Sequence, residues 1–117
     1  VGNSDAMMRM FDRIPDEDLG INVDTAWHMI QREYVPMVIE KLGKRVFHMH
    51  LRDGDGTMNY GLPPGRGINN WEDTFRSLKK IGYDGVVSFE ISHYLEPEKV
   101  IGSAKTYIGE IIEQING

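Results

Sequence analysis

The stretch RVFHMHL, Arg45 to Leu51, decides the fold. Its apolar residues recur at every second position from Phe47 onward, which is the period of a β-strand with two different faces. A helical pattern that ends near Gly43 precedes it, and a polar loop rich in Gly and Pro, residues 53–69, follows it. A strand between a helix and a long loop is typical of a repeating β–α unit.

The segments on both sides repeat this alternation. Apolar spacing predicts helices over 4–14, 35–42, 71–81 and from 97 to the C-terminus, and short apolar runs predict strands over 19–24, 45–51 and 85–91. The pattern places the first N-cap at Ser4 or Asp5, ends the second helix at Gly43, and bounds the third by Asn70 and Gly82. The order αβαβαβα predicts an α/β fold with parallel strands.

Each predicted strand has one apolar face and one more polar face. The apolar faces hold Leu19, Ile21 and Val23, then Phe47, Met49 and Leu51, then Val87, Phe89 and Ile91; the opposite faces hold Asn22 and Asp24, then Val46, His48 and His50, then Val86, Ser88 and Glu90. An open sheet covered by helices on both sides would bury apolar residues on both faces. Alternation alone is also compatible with that doubly wound sheet. The repeated polar face instead favours a partial (β/α) barrel of the TIM type, with the polar face lining its interior.

Asp24, His50 and Glu90 end the three polar faces at the C-terminal ends of the strands, where the active sites of such barrels are built. Two carboxylates and an imidazole suit a divalent metal ion such as Mn²⁺, Mg²⁺, Co²⁺ or Zn²⁺. Any one of them alone would more commonly cap a helix or form a salt bridge. Their repetition on three strands favours a metal site.

Four further residues are candidates for substrate binding. Trp27 and His28 follow the first strand, His48 shares the face of the second-strand ligand, and Arg66 lies in the long loop, where it could hold a phosphate, a carboxylate or a sugar hydroxyl. The alternatives are a surface His28, an interior His48 with its hydrogen bonds satisfied, and a solvated Arg66. His93 matches no pattern and is expected to be exposed to solvent.

The long loop also contains Asp53 and Asp55, which superficially resemble a calcium-binding loop. Met58 stands where that motif requires glycine, and Pro64 where it requires the closing glutamate, so the calcium interpretation fails.

Length and composition limit the remaining classes. The chain has 117 residues, one domain or less, whereas a closed eightfold barrel takes about 250. We expect residues 1–117 to form a single partial barrel domain. The net charge of -5 disfavours nucleic acid as a partner, the sequence has no cysteine for disulfides or thiolate sites, and no apolar run is long enough for a membrane span. A cytoplasmic location fits these features best.

The runs LGINVDTAW, HMHLRD, LPPGRG and WEDTFRSLKKIGYDGVVSFEI, in this order, resemble the xylose isomerase-like TIM barrel superfamily, which includes sugar isomerases, epimerases and AP endonucleases of family 2. The resemblance covers nearly the whole chain and implies the C-terminal portion of the barrel, with its last three strands. It implies Asp24, His50 and Glu90 as metal ligands. It also implies that Glu90 is catalytic and transfers a proton beside the substrate carbonyl.

The chain departs from the superfamily pattern at three places. A fourth ligand, a glutamate of the fifth strand, would precede Val1, so we expect an incomplete fragment that is inactive alone. Trp27 stands where many relatives place a substrate histidine, and Gly56 where some epimerases place an arginine. The identity of the sugar therefore does not transfer from the resemblance.

The leading hypothesis is a parent protein that isomerises or epimerises a small sugar or sugar phosphate through an enediolate, with an inosose-type dehydratase as a close variant. A phosphodiester hydrolase resembling endonuclease IV would need more histidines at the site and a basic surface. A third hypothesis is a non-catalytic partial barrel. Because a three-stranded sheet leaves two strand edges unpaired, we expect a homo-oligomer or association with the missing barrel half.

Overall fold

The computed structural model describes residues 2–58, 61–92 and 94–117. Within them, one parallel sheet has the order β1–β2–β3. The strands are β1 (Ile21–Asp24), β2 (Val46–Leu51) and β3 (Val87–Phe89), and the helices are α1 (Ser4–Arg13), α2 (Thr25–Ile30), α3 (Val35–Leu42), α4 (Trp71–Lys80) and α5 (Pro97–Asn116), with a 3₁₀ turn at Gly43–Arg45. The predicted α/β alternation with parallel strands is confirmed.

Helix α2 is an addition to the predicted order. It is six residues long, too short to show a helical period in the sequence, and it begins directly after β1. Asp24 caps it, because the Trp27 backbone N–H donates to Asp24 Oδ1 over 3.3 Å. The last residue of β1 is therefore also the N-cap of the following helix.

The N-cap of α1 is Asn3, so the expectation of Ser4 or Asp5 was wrong. Asn3 Oδ1 accepts a hydrogen bond from the Ala6 backbone N–H at 3.0 Å. Ser4 is instead buried, and both its backbone N–H and its hydroxyl donate to Glu33. An asparagine one residue earlier competes well for the capping position because its side chain accepts from the N-terminal backbone groups equally well.

The predicted face pattern fails at the start of β2. Val46 is buried and Phe47 is exposed, the reverse of the expectation. The register steps from Ile21 opposite Val46 to Asn22 opposite His48, so Phe47 is an extra residue in the ladder, a β-bulge. Beyond the bulge the expected alternation returns.

The start of α4 matches the prediction, and its end at Lys80 is one residue earlier than predicted. Asn70 Oδ1 accepts from the Asp73 backbone N–H at 2.9 Å, and Gly82, with φ of 73°, follows the end of the helix. The inward side chains of Trp71 and Leu78 are buried as expected. The third strand, by contrast, is shorter than predicted, and Glu90 follows its last residue.

The core lies between the sheet and the helices. Its buried members are Phe11, Ile21, Val23, Ala26, Met29, Val35, Val38, Ile39, Leu42, Val46, Met49, Leu51, Trp71, Phe75, Leu78 and Ile108. The alternate residues of β2, His48 and His50, point away from this core and are half-buried. Among the described residues, no helix combines the length and apolar character needed to cross a membrane.

Candidate metal centre

The register of the sheet brings Asp24, His50 and Glu90 together. Asp24 pairs with His50 across β1 and β2, and both end their polar faces at the same edge. The Glu90 backbone N–H donates to the Leu51 carbonyl at 3.1 Å, which places Glu90 one step beyond β3 on the other side of β2. One ligand atom from each side chain lies within 4.8 Å of the other two.

The chemistry of these donors fits a divalent ion. Two carboxylates and one imidazole form a mixed oxygen and nitrogen set, which Mn²⁺, Co²⁺ and Zn²⁺ accept, and Mg²⁺ accepts the carboxylates. Asp24 and His50 are half-buried and Glu90 is more exposed, so the cluster opens toward solvent on one side. An open side is what a catalytic site needs for substrate.

Hydrogen bonds hold the three side chains in this arrangement. His50 Nδ1 lies 2.8 Å from Glu90 Oε2, and Arg52 Nη2 donates to Asp24 Oδ2 at 2.6 Å. Burial alone would raise the pKa of Glu90, but the hydrogen bond from His50 and the positive charge of Arg52 outweigh it and hold this pKa below its ordinary value of 4.5. Glu90 is therefore a carboxylate at neutral pH.

Arg52 is the site residue that sequence reasoning missed. It follows β2 directly, after His48 and His50 in the run HMHLRD, and its guanidinium contacts Asp24 and approaches Glu90. Its position in the sequence could have indicated this role. Arg52 is the first residue after the strand that carries the candidate histidine ligand, and the loops after barrel strands contribute active-site residues.

Trp27 and His48 lie beside this cluster. Trp27 is 46% exposed, and the Arg52 guanidinium lies over its ring at 5.6 Å from the ring centroid. His48 Nε2 is 3.1 Å from Ser88 Oγ, and its ring meets the His50 ring edge-on with centroids 5.1 Å apart. The structure thus brings Trp27 and His48 next to the candidate ligands, and their roles toward a substrate stay predictions.

His28 lies in a different environment. It is only 2% exposed, and its Nδ1 is 2.9 Å from Glu33 Oε1. Glu33 also accepts hydrogen bonds from Ser4, and Lys41 Nζ donates to the Ser4 hydroxyl at 2.9 Å. His28 thus belongs to a polar network that joins α1, α2 and α3. The surface alternative for His28 is wrong, and its substrate role stays a prediction without a contact that supports it.

The long loop after β2 is organised by Asp53, a fully buried carboxylate. Oδ1 accepts from the backbone N–H groups of Gly54 and Asn69, and Oδ2 accepts from the Gly65 backbone N–H and from Trp71 Nε1, over 2.7–3.0 Å. Its backbone also forms an antiparallel bridge with Leu62. The acidic residue that resembled a calcium ligand is therefore a structural anchor.

Arg66 lies on the exposed surface of this loop, and its backbone N–H donates to the Pro63 carbonyl at 3.1 Å. Among the residues that the structure describes, no ion pair joins its guanidinium to Asp24 or Glu90, and its role toward a substrate stays a prediction. Asn59 and Tyr60 of the same loop and His93 lie outside the described residues, so the expectation for His93 stays a prediction.

A groove of about 500 Å³ opens beside the long loop. Met29, Arg32 and Tyr34 line one side, and Gly56 and Ile68 line the other. None of the three candidate ligands lines it. The candidate ligands of β1 and β2 instead lie on the face of the sheet opposite the hydrophobic core.

Comparison with known proteins agrees with this architecture. The sequence model of the xylose isomerase-like TIM barrel family matches residues 1–111, so the chain belongs to that family. An uncharacterized protein of Methanocaldococcus jannaschii is 28% identical over 114 residues, covering 95% of this chain and 39% of that protein. Fructoselysine 3-epimerase of Escherichia coli O157:H7 is 28% identical over 91 residues, covering 78% of this chain and 33% of the enzyme.

Solved structures show the same relation. A D-tagatose 3-epimerase-like protein matches with a TM-score of 0.75 and 29% identity, covering 86% of this chain and 37% of that protein. The IOLI protein, solved with a binding zinc atom, matches in fold with a TM-score of 0.79 and 20% identity, covering 98% of this chain and 45% of that protein. The chain spans about a third to two fifths of the length of the curated relatives it matches and forms part of a barrel.

Proposed function

We propose that this chain contributes part of the active site of a divalent-metal-dependent sugar isomerase or epimerase. The observation that carries the proposal is the convergence of Asp24, His50 and Glu90 at the strand ends, with one ligand atom of each within 4.8 Å of the others. Likeness to fructoselysine 3-epimerase and to a D-tagatose 3-epimerase-like protein supports the reaction class. The IOLI protein, which shares this fold, was solved with a binding zinc atom, and this supports metal binding as part of the proposal.

Asp24, His50 and Glu90 would hold the ion, and as a Lewis acid it would stabilise negative charge on adjacent oxygens of a bound sugar. Contacts within the chain orient these side chains without an ion. Arg52 fixes the Asp24 carboxylate, and the contact between His50 Nδ1 and Glu90 Oε2 orients both of those side chains. Such support from neighbouring side chains is what ligating groups in metalloproteins commonly require.

Glu90 is the proposed proton acceptor. Its pKa lies below the ordinary value, so it is ionised at neutral pH and can take the proton from the carbon beside the substrate carbonyl. The C–H electron pair then forms the C=C bond of the enediolate, and the carbonyl π pair moves onto oxygen. Returning a proton to the opposite face of the same carbon re-forms the carbonyl and gives the epimer. Returning it to the former carbonyl carbon gives the isomer, as the proton of the adjacent hydroxyl passes to the former carbonyl oxygen and the new carbonyl forms at the adjacent carbon.

The second acid in this scheme is the glutamate that the resemblance places on the fifth strand. The activity is therefore proposed for the whole protein. The substrate class is a small sugar or sugar phosphate, with the exposed Trp27 ring as a wall for the sugar, His48 near the reacting carbons and Arg66 reaching an oxygen or phosphate from the loop. An inosose-type dehydratase remains a variant of the same proton abstraction.

The phosphodiester hydrolase alternative draws less support. Among the described residues, the three-member ligand cluster contains a single histidine, and the chain carries a net charge of -5. A metal cluster acting on nucleic acid would be expected to use more imidazoles and a basic surface.

Metal binding is the first test. We expect calorimetric titration of Mn²⁺ into the purified chain to show saturable binding at one site. Since His50 is the proposed imidazole ligand, His50→Ala should abolish it, whereas His48→Ala, which removes the neighbouring histidine of the same face, should leave one site. Equal binding by the wild-type chain and His50→Ala would contradict the proposed centre.

Proton abstraction is the second test. A ketose is incubated in D₂O with Mn²⁺ and the whole protein that contains this chain. Deuterium incorporation at the carbon beside the carbonyl is followed by NMR. We expect exchange with the wild-type protein and its loss in Glu90→Gln, with Glu17→Gln in an exposed turn as the control. Exchange that persists in Glu90→Gln would remove Glu90 from the reaction.

A further inference from the structure

Arg52 reaches both carboxylates of the candidate metal centre. Its Nη2 lies 2.6 Å from Asp24 Oδ2 and its Nε 3.2 Å from Asp24 Oδ1, a two-pronged contact, while Nε lies 3.7 Å from Glu90 Oε2. The residue is 8% exposed. A guanidinium in this position orients a carboxylate more strictly than a single hydrogen bond does, because two parallel bonds fix the plane of the carboxylate.

The backbone of Arg52 is held as well. Thr25 is fully buried, and its Oγ1 accepts from the Arg52 backbone N–H at 2.9 Å and donates to the Arg52 carbonyl at 2.5 Å. Thr25 directly follows Asp24 in the chain. Asp24 and Arg52 are therefore connected in two ways. Thr25, the next residue after Asp24, holds the Arg52 backbone, and the Arg52 side chain holds the Asp24 carboxylate.

The hydrogen bonds to Asp24 determine what the carboxylate can still bind. An ionised carboxylate has about four acceptor positions. Oδ1 accepts hydrogen bonds from Arg52 Nε and from the Trp27 backbone N–H, and Oδ2 accepts one from Arg52 Nη2. Among the described residues these are the donors found on Asp24, so one position on Oδ2 remains.

We infer that Arg52 is a positioning residue, which holds the Asp24 carboxylate so that a single position on Oδ2 is left to ligate a divalent ion. The inference rests on the proposed function, since it concerns the same metal centre. Partners of this kind typically raise metal affinity about 10- to 100-fold. The positive charge of Arg52 acts in the opposite direction by repelling the ion, so a test must separate orientation from charge.

Arg52→Lys makes this separation, because lysine keeps the charge and loses the planar fork. We expect about 10- to 100-fold weaker Mn²⁺ binding by Arg52→Lys than by the wild-type chain in calorimetric titration. The control is Arg76→Lys, since Arg76 also pairs with a carboxylate, that of Glu72, but on the exposed face of α4. Unchanged or tighter binding by Arg52→Lys would overturn the inference while leaving the metal centre intact.

A metal-free measurement keeps the inference independent of the proposed function. In NMR of the chain without metal, we expect the Arg52 Nε–H to exchange slowly with solvent, and Asp24→Asn or Thr25→Val to accelerate that exchange. The Arg76 Nε–H should exchange fast in all three proteins. If the wild-type chain bound no Mn²⁺, the proposed function would fail, and slow exchange would still support the Arg52–Asp24 arrangement. Fast exchange of Arg52 Nε–H in the wild-type chain would overturn the inference in either case.

Discussion

At the scale of single residues, buried charged groups of this chain are satisfied by specific partners. Asp53 is buried completely, and its two carboxylate oxygens receive four hydrogen bonds among the described residues. Burying an ionised carboxylate is unfavourable unless it is paired or hydrogen-bonded in this way. The hydrogen bonds to Asp53 thus hold together a loop that contains few apolar residues.

We predict that Asp53→Asn lowers the free energy of unfolding by roughly 2 to 4 kcal/mol. The amide has nearly the same shape, but its NH₂ group would replace an oxygen that accepts from two N–H donors, so two donors lose their acceptor. Urea unfolding followed by circular dichroism measures the change.

Asp55→Asn is the matched control for this prediction. Asp55 is an exposed aspartate of the same loop that accepts from the Thr57 backbone N–H and hydroxyl. We expect it to change the unfolding free energy by less than about 1 kcal/mol. Similar losses in both variants would show that Asp53 is not the anchor of the loop.

At the scale of secondary-structure elements, Glu33 connects three helices. It accepts hydrogen bonds from Ser4 at the start of α1 and from His28 in α2, and it lies just before α3. Burial raises the pKa of Glu33, but the hydrogen bonds from Ser4 and His28 outweigh burial, and the pKa lies below its ordinary value of 4.5. The ionised form is therefore favoured by folding.

This shift predicts acid sensitivity of the helix packing. Because the folded-state pKa of Glu33 is lowered, its contribution to stability is fully present above about pH 4.5 and is lost as the pH falls through the folded-state pKa. Glu33→Gln should reduce the loss of unfolding free energy between about pH 6 and about pH 3. Denaturant titrations across this pH range measure the difference.

The comparison for Glu33→Gln is Glu17→Gln, which changes an exposed glutamate in the turn after α1. It should leave the pH dependence of stability as it is in the wild-type chain. If the unfolding free energy of Glu33→Gln and of the wild type depended on pH in the same way, protonation of Glu33 would not contribute to the loss of stability in acid.

At the scale of the whole molecule, the described residues form a slab with extents of 44 × 35 × 21 Å. Helices cover the apolar face of the sheet, and the face with the candidate ligands is open. Each of β1 and β3 pairs on one side only within the described part of the chain. Unpaired strand edges are sites where another chain can add.

We predict that the purified chain associates through these edges. Val86, beside β3, is an apolar side chain that is 67% exposed. Val86→Lys should weaken association on the order of tenfold or more, since a charge next to a strand edge opposes edge pairing. Sedimentation velocity over a range of chain concentrations measures it.

Met37→Lys is the control, because Met37 on α3 is 65% exposed, nearly the same as Val86, but lies away from the sheet edge. Its association should equal that of the wild-type chain. A wild-type chain that sediments as a monomer at every concentration would exclude self-association, and equal weakening by both lysines would place the interface elsewhere.

The sequence by itself determined the alternation of helices and strands, the start of α4 and the three candidate ligands. These features depend on near neighbours: helical and strand periods, capping side chains and the last residues of a strand follow from a few consecutive positions. The family resemblance rested on the same local runs, and the match over residues 1–111 confirms it. Asp24, His50 and Glu90 could thus be named before their separation was known.

The tertiary structure alone decided the bulge at Phe47, the burial of His28 and the placement of Arg52. Arg52 and Asp24 are 28 residues apart in the chain, and Ser4 and Glu33 are 29 apart, so no local period relates them. A one-residue shift in strand register exchanges the two faces of a strand, and it is set by packing across the ladder. Which charged groups meet in space depends on the path of the whole chain, and for this reason the residue that holds Asp24 in place emerged only from the folded structure.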